Sequence, residues 1–273
     1  MPRHDRRPGL RLLGYVGLGA VCALMLLPFL YMLSIASGTG NQTGLLPGRF
    51  ALLGNIHTVV TSAGFGRFLL NSVIMSGGIA VLDVLISGCA GYALGTLQFP
   101  GKRVLFGAVI AILGVSPIVV VIPVYVMLRD VGWLNSYQGL IVPLMCSAFG
   151  VFLVRQFALG IPGSVIQAAR LDGASELRIL AKVAVPFLRP ALLTLLLLDF
   201  LAQWDNLIWP LVVASQSSLW TVAVGLSSFQ GEHGIVYNLM AAAGLVSMIP
   251  PFLLFLLLQR NYVRGVTFGG IDR

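Results

Sequence analysis

The segment Gln167-Ala168-Ala169-Arg170-Leu171-Asp172-Gly173-Ala174-Ser175 separates two long apolar runs of the chain. It is polar, rich in small residues and interrupted by a glycine, whereas the sequence on either side is largely aliphatic. A loop that only joins two membrane spans needs none of these features. We therefore interpret the segment as a surface on which another protein docks, carried by an otherwise hydrophobic chain.

The composition places most of the chain in lipid. Of its 273 residues, 58% are hydrophobic and 10% are charged, whereas soluble domains carry about 25% charged residues. The net charge of +8 does not indicate nucleic acid binding, because the basic residues lie in short clusters between apolar runs. That distribution is typical of membrane topology.

Six apolar segments are long enough to cross a bilayer, which takes about 20 residues in a helix. They predict an all-α polytopic membrane protein with six transmembrane helices. Within the second segment, Gly91 and Gly95 are spaced for close helix packing, which we expect within this chain. The first segment is too long for a signal peptide and no clear cleavage site follows it, so we expect it to be retained. The six segments are residues 12–36, 68–97, 104–128, 139–159, 191–214 and 235–258.

The basic residues also predict an orientation. In a six-span topology, fourteen Lys and Arg residues fall on the side of both termini, and three (Arg49, Arg67 and Arg129) fall on the other. Cytoplasmic loops carry the excess of such residues. We therefore expect a single domain, 1–273, with a cytoplasmic N-terminus at 1–11, a membrane core at 12–258 and a cytoplasmic tail at 259–273. The loop at about 160–190 then faces the cytoplasm.

Within that loop, local signals predict a helix–turn–helix. Pro162 suits the start of a helix over 163–172, and Gly173 is well placed to end it. Ser175 is expected to cap a second helix that Pro186 ends or kinks. Spacing alone leaves a second interpretation open, an amphipathic helix lying in the lipid headgroups. The apolar face of the second helix is predicted to comprise Leu177, Leu180, Ala181 and Ala184.

Four stretches resemble one family of membrane proteins. The 167–175 segment resembles the cytoplasmic coupling loop of binding-protein-dependent ABC importers, whose pattern reads Glu-Ala-Ala, three residues, then Gly. Over residues 10 to 272 the chain is similar to the maltose-type, or carbohydrate, permease subunits of these importers. The other matching stretches are Gln259 to Gly270; Asn71-Ser72 with Ala90 to Leu94 and Phe99 to Lys102; and Ile122-Pro123 with Gly132 to Asn135.

The resemblance implies a non-catalytic permease subunit in a bacterial cytoplasmic (inner) membrane. Its implied partners are a second homologous permease, two ATP-binding cassette subunits and an extracytoplasmic solute-binding protein. The chain itself has no nucleotide-binding motif and no cofactor is expected in it, so ATP and Mg²⁺ would belong to the partner ATPases. The implied ATPase-coupling residues are Gln167, Ala168, Ala169, Asp172, Gly173, Ala174 and Ser175.

One position departs from the family pattern. Gln167 stands where the family usually has Glu, and that carboxylate is thought to face a basic residue of the ATPase. Glutamine forms a hydrogen bond but no ion pair, and charge-assisted hydrogen bonds are the stronger ones. Docking is therefore either weaker in this protein or supported by Asp172 or Glu176 instead.

A polar cluster in the fifth span is the candidate substrate pathway. It comprises Gln203, Trp204, Asp205 and Asn206, and combines amide and carboxylate groups with a flat aromatic ring, as sugar sites do. The family usually has Trp-Asn followed by an acid, so the order here is rearranged. The alternative is that these groups hydrogen-bond across helices and hold the bundle together. For Asp83 and Asp199 we expect that structural role.

Two other classes of function are weighed against the importer. An ion-coupled secondary transporter would use the intramembrane carboxylates of Asp83, Asp199 or Asp205. The absence of a visible internal repeat counts against it. A membrane enzyme is disfavoured because no catalytic constellation of side chains can be identified.

Overall fold

A computed structural model describes residues 8–40, 50–61, 64–229 and 236–267, and within these ranges the chain contains helices and turns but no strand. The predicted all-α class is confirmed. Two short turns follow the 3₁₀ pattern, at Val142–Leu144 and Ser217–Leu219, and Leu180–Ala184 is a π-helical turn. The helices are α1 Pro8–Ser37, α2 Leu52–Thr61, α3 Phe65–Thr96, α4 Lys102–Leu113, α5 Pro117–Asp130, α6 Tyr137–Ile141, α7 Ala148–Ala158, α8 Gly163–Leu171, α9 Glu176–Ile179, α10 Val185–Trp204, α11 Ile208–Val213, α12 Val222–Ser228, α13 Tyr237–Ser247 and α14 Ile249–Thr267.

Four helical segments are apolar and long enough to cross a membrane, and two bent helix pairs bring the number to six. The four are Gly14–Ser37, Phe65–Thr96, Glu176–Trp204 and Tyr237–Gln259. By length and composition, this agrees with the six spans expected from the sequence. The short α2 helix lies in the loop between the first two spans.

Three of the predicted spans are interrupted or displaced in the structure. The third, 104–128, is broken into α4 and α5, which meet at an angle of 102°. Ser116 is extended and Pro117 opens α5, as expected from a residue that has no N–H and disfavours helix in the residue before it. The fourth, 139–159, bends by 43° between its two helical parts. The fifth was placed at 191–214, but its helix begins at Glu176 and ends at Trp204.

Contacts divide the chain into two compact units. The first comprises residues 1–65 and 228–246, and the second comprises 66–227 and 247–273. In the first, the amide Nδ2 of Asn55 donates to the carbonyl oxygens of Ala36 and Gly38, both at 2.8 Å. Asn238 Nδ2 donates to Asn55 Oδ1 at 3.1 Å. Asn55 thus joins α2 to the end of α1 and to α13.

Among the described residues of the second unit, one apolar cluster lies towards each end of α3. At the cluster that contains Tyr92, α3 approaches α7 closely because of two glycines. A Cβ at Gly91 would lie 2.6 Å from Val154 Cβ, and one at Gly95 would lie 2.5 Å from Ala158 Cβ. The predicted close packing of these glycines within the chain is confirmed. The same cluster includes buried residues of α8 and α10, so it joins the 160–190 loop to the spans.

Candidate functional site

The turn after α8 is closed by its own backbone. Gly173 has φ +75, in the left-handed region. Its N–H donates to the carbonyl of Arg170 at 3.0 Å, and the N–H of Ala174 donates to that of Ala169 at 3.1 Å. This pair of bonds is the Schellman arrangement, which ends a helix at a left-handed residue, usually glycine. The predicted helix and its stop at Gly173 are confirmed.

The second half of the predicted helix–turn–helix differs from expectation. Ser175 occupies the N-cap position, but its side chain accepts no capping hydrogen bond. Pro186 does not end the helix, because it lies in the first turn of α10, which continues from α9 through the π-helical turn.

The predicted apolar face of this helix is only half correct, because Ala184 is buried and Leu180 packs against the apolar cluster that contains Tyr92, whereas Ala181 is exposed. Leu177 is 77% exposed and Ile179 is fully buried. A π-helical turn holds more residues per turn than an α-helical one, so a face chosen at α-helical spacing does not stay in register.

The loop is seated on the spans by apolar side chains. Ile166 of α8 and Ile179 of α9 are 5% and 0% exposed, and both lie in the cluster with Tyr92 of α3 and Leu195 of α10. Leu171, by contrast, is 90% exposed. Of the predicted coupling residues, Ala169 and Ala174 pack partly against this cluster; the exposed ones are Gln167, Ala168, Asp172, Gly173 and Ser175.

A carboxylate links this loop to α3. Glu176 Oε1 accepts a hydrogen bond from Arg170 Nε at 2.6 Å, and Glu176 Oε2 accepts one from the hydroxyl of Tyr92 at 3.2 Å. The bond to Glu176 raises the pKa of the Arg170 guanidinium. The sequence indicated Glu176 as an alternative docking acid but did not reveal Tyr92 as its partner, because the two residues are 84 positions apart in the chain.

Basic residues predicted to be cytoplasmic are engaged at the same end of the second unit. Lys102 Nζ donates to the carbonyl of Leu97 at 2.7 Å, beyond the end of α3, as cations do where helix carbonyls are unpaired. The Arg155 guanidinium lies 3.6 Å from the centre of the Phe106 ring. These side chains stabilise the end of α3 and the end of α7, and the coupling loop follows α7.

The candidate pathway residues lie at a break and not in mid-span. Asp205 is the residue that follows the last turn of α10, and residues 205–207 separate α10 from α11. Trp204 is 5% exposed and stacks on Phe200 with ring centres 5.5 Å apart. Asn206 Nδ2 donates to Gln203 Oε1 at 3.0 Å. The structure thus joins Gln203 to Asn206, and stacks Trp204 on Phe200.

Asp205 differs from its neighbours in having no partner. Its side chain is exposed, and within the described ranges no hydrogen bond or ion pair engages it. Asn206, in contrast, accepts the backbone N–H of Trp209 through Oδ1 at 3.2 Å. Asn206 and Gln203 thus stabilise the local turn, and the Asp205 carboxylate takes no part in it.

Asp83 is buried among donors. Its carboxylate is fully buried and accepts the hydroxyl of Ser87 at 2.6 Å, the hydroxyl of Ser147 at 2.6 Å and the backbone N–H of Ser147 at 2.9 Å. Asp199 of α10 lies beside it, with Oδ2 buried and without a hydrogen-bond partner. A Cβ at Gly150 would lie 2.6 Å from Ser87 Oγ. The arrangement fits the structural role expected of Asp83.

The opposite end of α3 carries the family-like pair Asn71-Ser72. Asn71 Nδ2 donates to the carbonyls of Ser218 and Trp220 at 3.0 and 2.8 Å, and Asn71 Oδ1 accepts the hydroxyl of Tyr137 at 2.7 Å. Ser72 Oγ accepts the N–H of Val222 at 2.8 Å. These polar residues tie α3 to the segment between α11 and α12. Among the described residues, no group of three or more His, Cys, Asp or Glu side chains is placed to hold a metal ion.

Residues 87–268 match the family described as binding-protein-dependent transport system inner membrane component. The chain is 33% identical over 220 residues to the arabinooligosaccharides transport system permease protein AraQ of Halalkalibacterium halodurans, covering 80% of this chain and 79% of the relative. It is 32% identical over 276 residues to the sn-glycerol-3-phosphate transport system permease protein UgpE of Shigella flexneri, covering 96% and 98%.

The fold also matches solved structures. A chain of a bacterial ABC transporter involved in the import of the acidic polysaccharide alginate superposes with a TM-score of 0.81 at 23% identity, covering 95% of this chain and 99% of the other. The MetNI methionine ABC transporter gives a TM-score of 0.55 at 19% identity, covering 74% and 94%. At these identities the likeness concerns the fold.

Proposed function

This chain belongs to the family of inner membrane components of binding-protein-dependent transport systems, and from that premise we propose that it is a permease subunit of an ATP-driven importer for a sugar or sugar-like solute. The observation that carries the proposal is the α8–Gly173–α9 turn. It is fixed to the spans by buried Ile166 and Ile179 and it projects Leu171 outward. A rigid, protruding, small-residue turn suits docking of a partner better than burial in headgroups.

The partners follow from the family. We expect a second homologous permease, two ATP-binding cassette subunits at the coupling loop and an extracytoplasmic solute-binding protein. ATP and Mg²⁺ would act on the cassette subunits. In this arrangement the loop and both termini face the cytoplasm, and the seven coupling residues from Gln167 to Ser175 form the docking surface.

This chain's own contribution is mechanical. A displacement of the docked cassette would act on α8, whose Ile166 is packed against α3, α7 and α10 through one apolar cluster. Protein interiors are close-packed and transmit displacement instead of absorbing it. Movement of the loop would therefore shift the spans and open the pathway.

The substrate class is supported by the relatives and by one side chain. AraQ is named for arabinooligosaccharides and UgpE for sn-glycerol-3-phosphate, and both solutes are rich in hydroxyl groups. The unpaired, exposed carboxylate of Asp205 is a hydrogen-bond acceptor for such groups, next to the Gln203 and Asn206 amides. We place the solute pathway along these residues.

Reconstitution tests the function. The chain, its partner permease and the cassette subunits are incorporated into lipid vesicles with binding protein and labelled sugar. We expect uptake that requires ATP on the cassette side and is insensitive to collapse of ion gradients. Uptake that persists without cassette subunits and disappears when ion gradients are collapsed would instead establish the ion-coupled alternative and overturn the proposal.

A further inference from the structure

Glu176 connects the coupling loop to a membrane span through both of its carboxylate oxygens. One oxygen is held by Arg170 of α8 at 2.6 Å and the other by Tyr92 of α3 at 3.2 Å. Arg170 is six residues away in the chain, whereas Tyr92 is 84 residues away. The carboxylate thus spans from the end of the loop helix to the end of a transmembrane helix.

These contacts engage Glu176, which the sequence analysis considered as an acid for docking of the ATPase. Between residues 160 and 190 the only acidic residues are Asp172 and Glu176. Both oxygens of Glu176 have partners, whereas Asp172 is exposed and no hydrogen bond or ion pair within the described ranges engages its side chain. Asp172 is therefore the carboxylate that remains for the ATPase, and Glu176 has a different task.

The polar link lies at the edge of an apolar one. Tyr92 is 3% exposed and belongs to the same cluster as Ile166 and Ile179. Its ring is held among α3, α7 and α10, and only its hydroxyl reaches Glu176. Ile166 fixes the middle of α8 and the Glu176 bridge fixes its end, so the helix has two points of attachment and cannot pivot about one.

The link contributes little to stability. Arg170 and Glu176 are 42% and 46% exposed in their side chains, and exposed ion pairs contribute weakly because solvent screens them. A bridge of this kind matters for geometry: it sets the angle at which the loop stands on the spans.

We propose that Glu176 is a positioning residue that, through Tyr92 and Arg170, makes the coupling loop move as one body with α3. The inference rests on the proposed function and deepens it. Without the bridge, part of the displacement imposed on the loop is lost as rotation of α8 about Ile166, so that ATP is hydrolysed with less solute moved.

The test compares Tyr92→Phe, Glu176→Gln and the double variant with wild type in the reconstituted complex. ATP hydrolysis and solute uptake are measured together. We expect the ratio of uptake to hydrolysis to fall roughly two- to fivefold in each single variant, as suits a weak exposed interaction. Copurification of the cassette subunits stays unchanged. The double variant falls no further than the singles, because both remove the same link.

Arg178→Gln is the matched control. Arg178 is an exposed cation of the same loop, its replacement makes the same charge change as Arg170→Gln, and we expect it to keep the wild-type ratio while Arg170→Gln lowers it. Tyr92→Phe keeps the buried ring, so its folding is not at issue. If the wild-type complex shows ATP-driven uptake, and Tyr92→Phe and Glu176→Gln keep its ratio of uptake to hydrolysis, this inference is overturned and the proposed function stands. A wild-type complex without ATP-driven uptake overturns the proposed function, and the inference with it.

Discussion

Gly173 holds a left-handed backbone at φ +75 with no atom near the position of a Cβ. A β-branched residue there has space but pays about 1–2 kcal/mol of backbone strain, which opens the Schellman turn. We expect Gly173→Val to insert into the membrane and to hydrolyse ATP with its partners while uptake falls at least about tenfold, since a 1.4 kcal/mol penalty on the docked state is already tenfold. Uptake and hydrolysis are measured in the same vesicles.

Gly101 supplies a matched control for that variant. Its φ is +82, no atom lies near its Cβ position, and it precedes α4 at the same end of the second unit. Gly101→Val therefore carries equal strain outside the docking surface. Equal loss of uptake in both variants would attribute the effect to strain and remove the docking role from Gly173.

A substitution at Gly150 tests the structural role of the hydrogen bonds that Ser87 and Ser147 donate to the buried carboxylate of Asp83. A methyl group there would lie 2.6 Å from Ser87 Oγ and 2.8 Å from Asp83 Oδ2, so hydrogen bonds to a buried carboxylate must break or shift. We expect Gly150→Ala to cost about 1–3 kcal/mol of stability, read as a lowered Tm in detergent. Gly88→Ala is the control, because its Cβ meets Leu192 Cδ2 at an ordinary 3.5 Å. A Tm like that of Gly88→Ala would show that the network is not rigid.

A substitution at Asp205 distinguishes the two roles that the sequence left open for the polar cluster, which are contact with the solute and stabilisation of the bundle. A side chain without a partner inside the chain contributes little to folding, whereas a solute contact contributes to affinity. We expect Asp205→Ala to assemble with an unchanged Tm and to raise the KM for uptake roughly tenfold, as loss of a hydrogen bond to a charged group does. Full uptake with normal assembly would exclude Asp205 from the pathway.

At the scale of helices, the sequence located elements well where polar residues mark them. α8 and its stop at Gly173 were predicted because a glycine at the end of a short polar helix is a local signal. The break after α4 is likewise marked in the sequence, by Pro117, because a proline disfavours helix in the residue before it. The π-helical turn before α10 was not predicted, since every residue of Leu180–Ala184 is also compatible with an α-helix. The Glu176–Tyr92 bond was out of reach for a different reason: it depends on how α3 and α9 meet, which no local pattern encodes.

For the whole molecule, the surface of the second unit is what a membrane protein requires. Ile122 and Val119 of α5 are 73% and 66% exposed, and soluble proteins rarely leave such contiguous apolar area uncovered. The six-span expectation followed from length and composition and survives as four continuous helices and two bent pairs. Which face of the bilayer each end meets is a separate question, and the two ends differ in charge.

The orientation of the chain in the membrane can be tested by labelling introduced cysteines. One end of the second unit carries Lys102, Arg155 and the coupling loop. At the other end, Arg129 is followed by the acidic Asp130. The excess of basic residues at the first end predicts that the coupling loop is cytoplasmic. After replacement of the three native cysteines, all exposed, Asp130→Cys should react with a membrane-impermeant maleimide in intact cells. Asp172→Cys should react only once the membrane is opened. The reverse pattern would place the coupling loop outside, where no cytoplasmic ATPase reaches it, and the importer mechanism would fail with it.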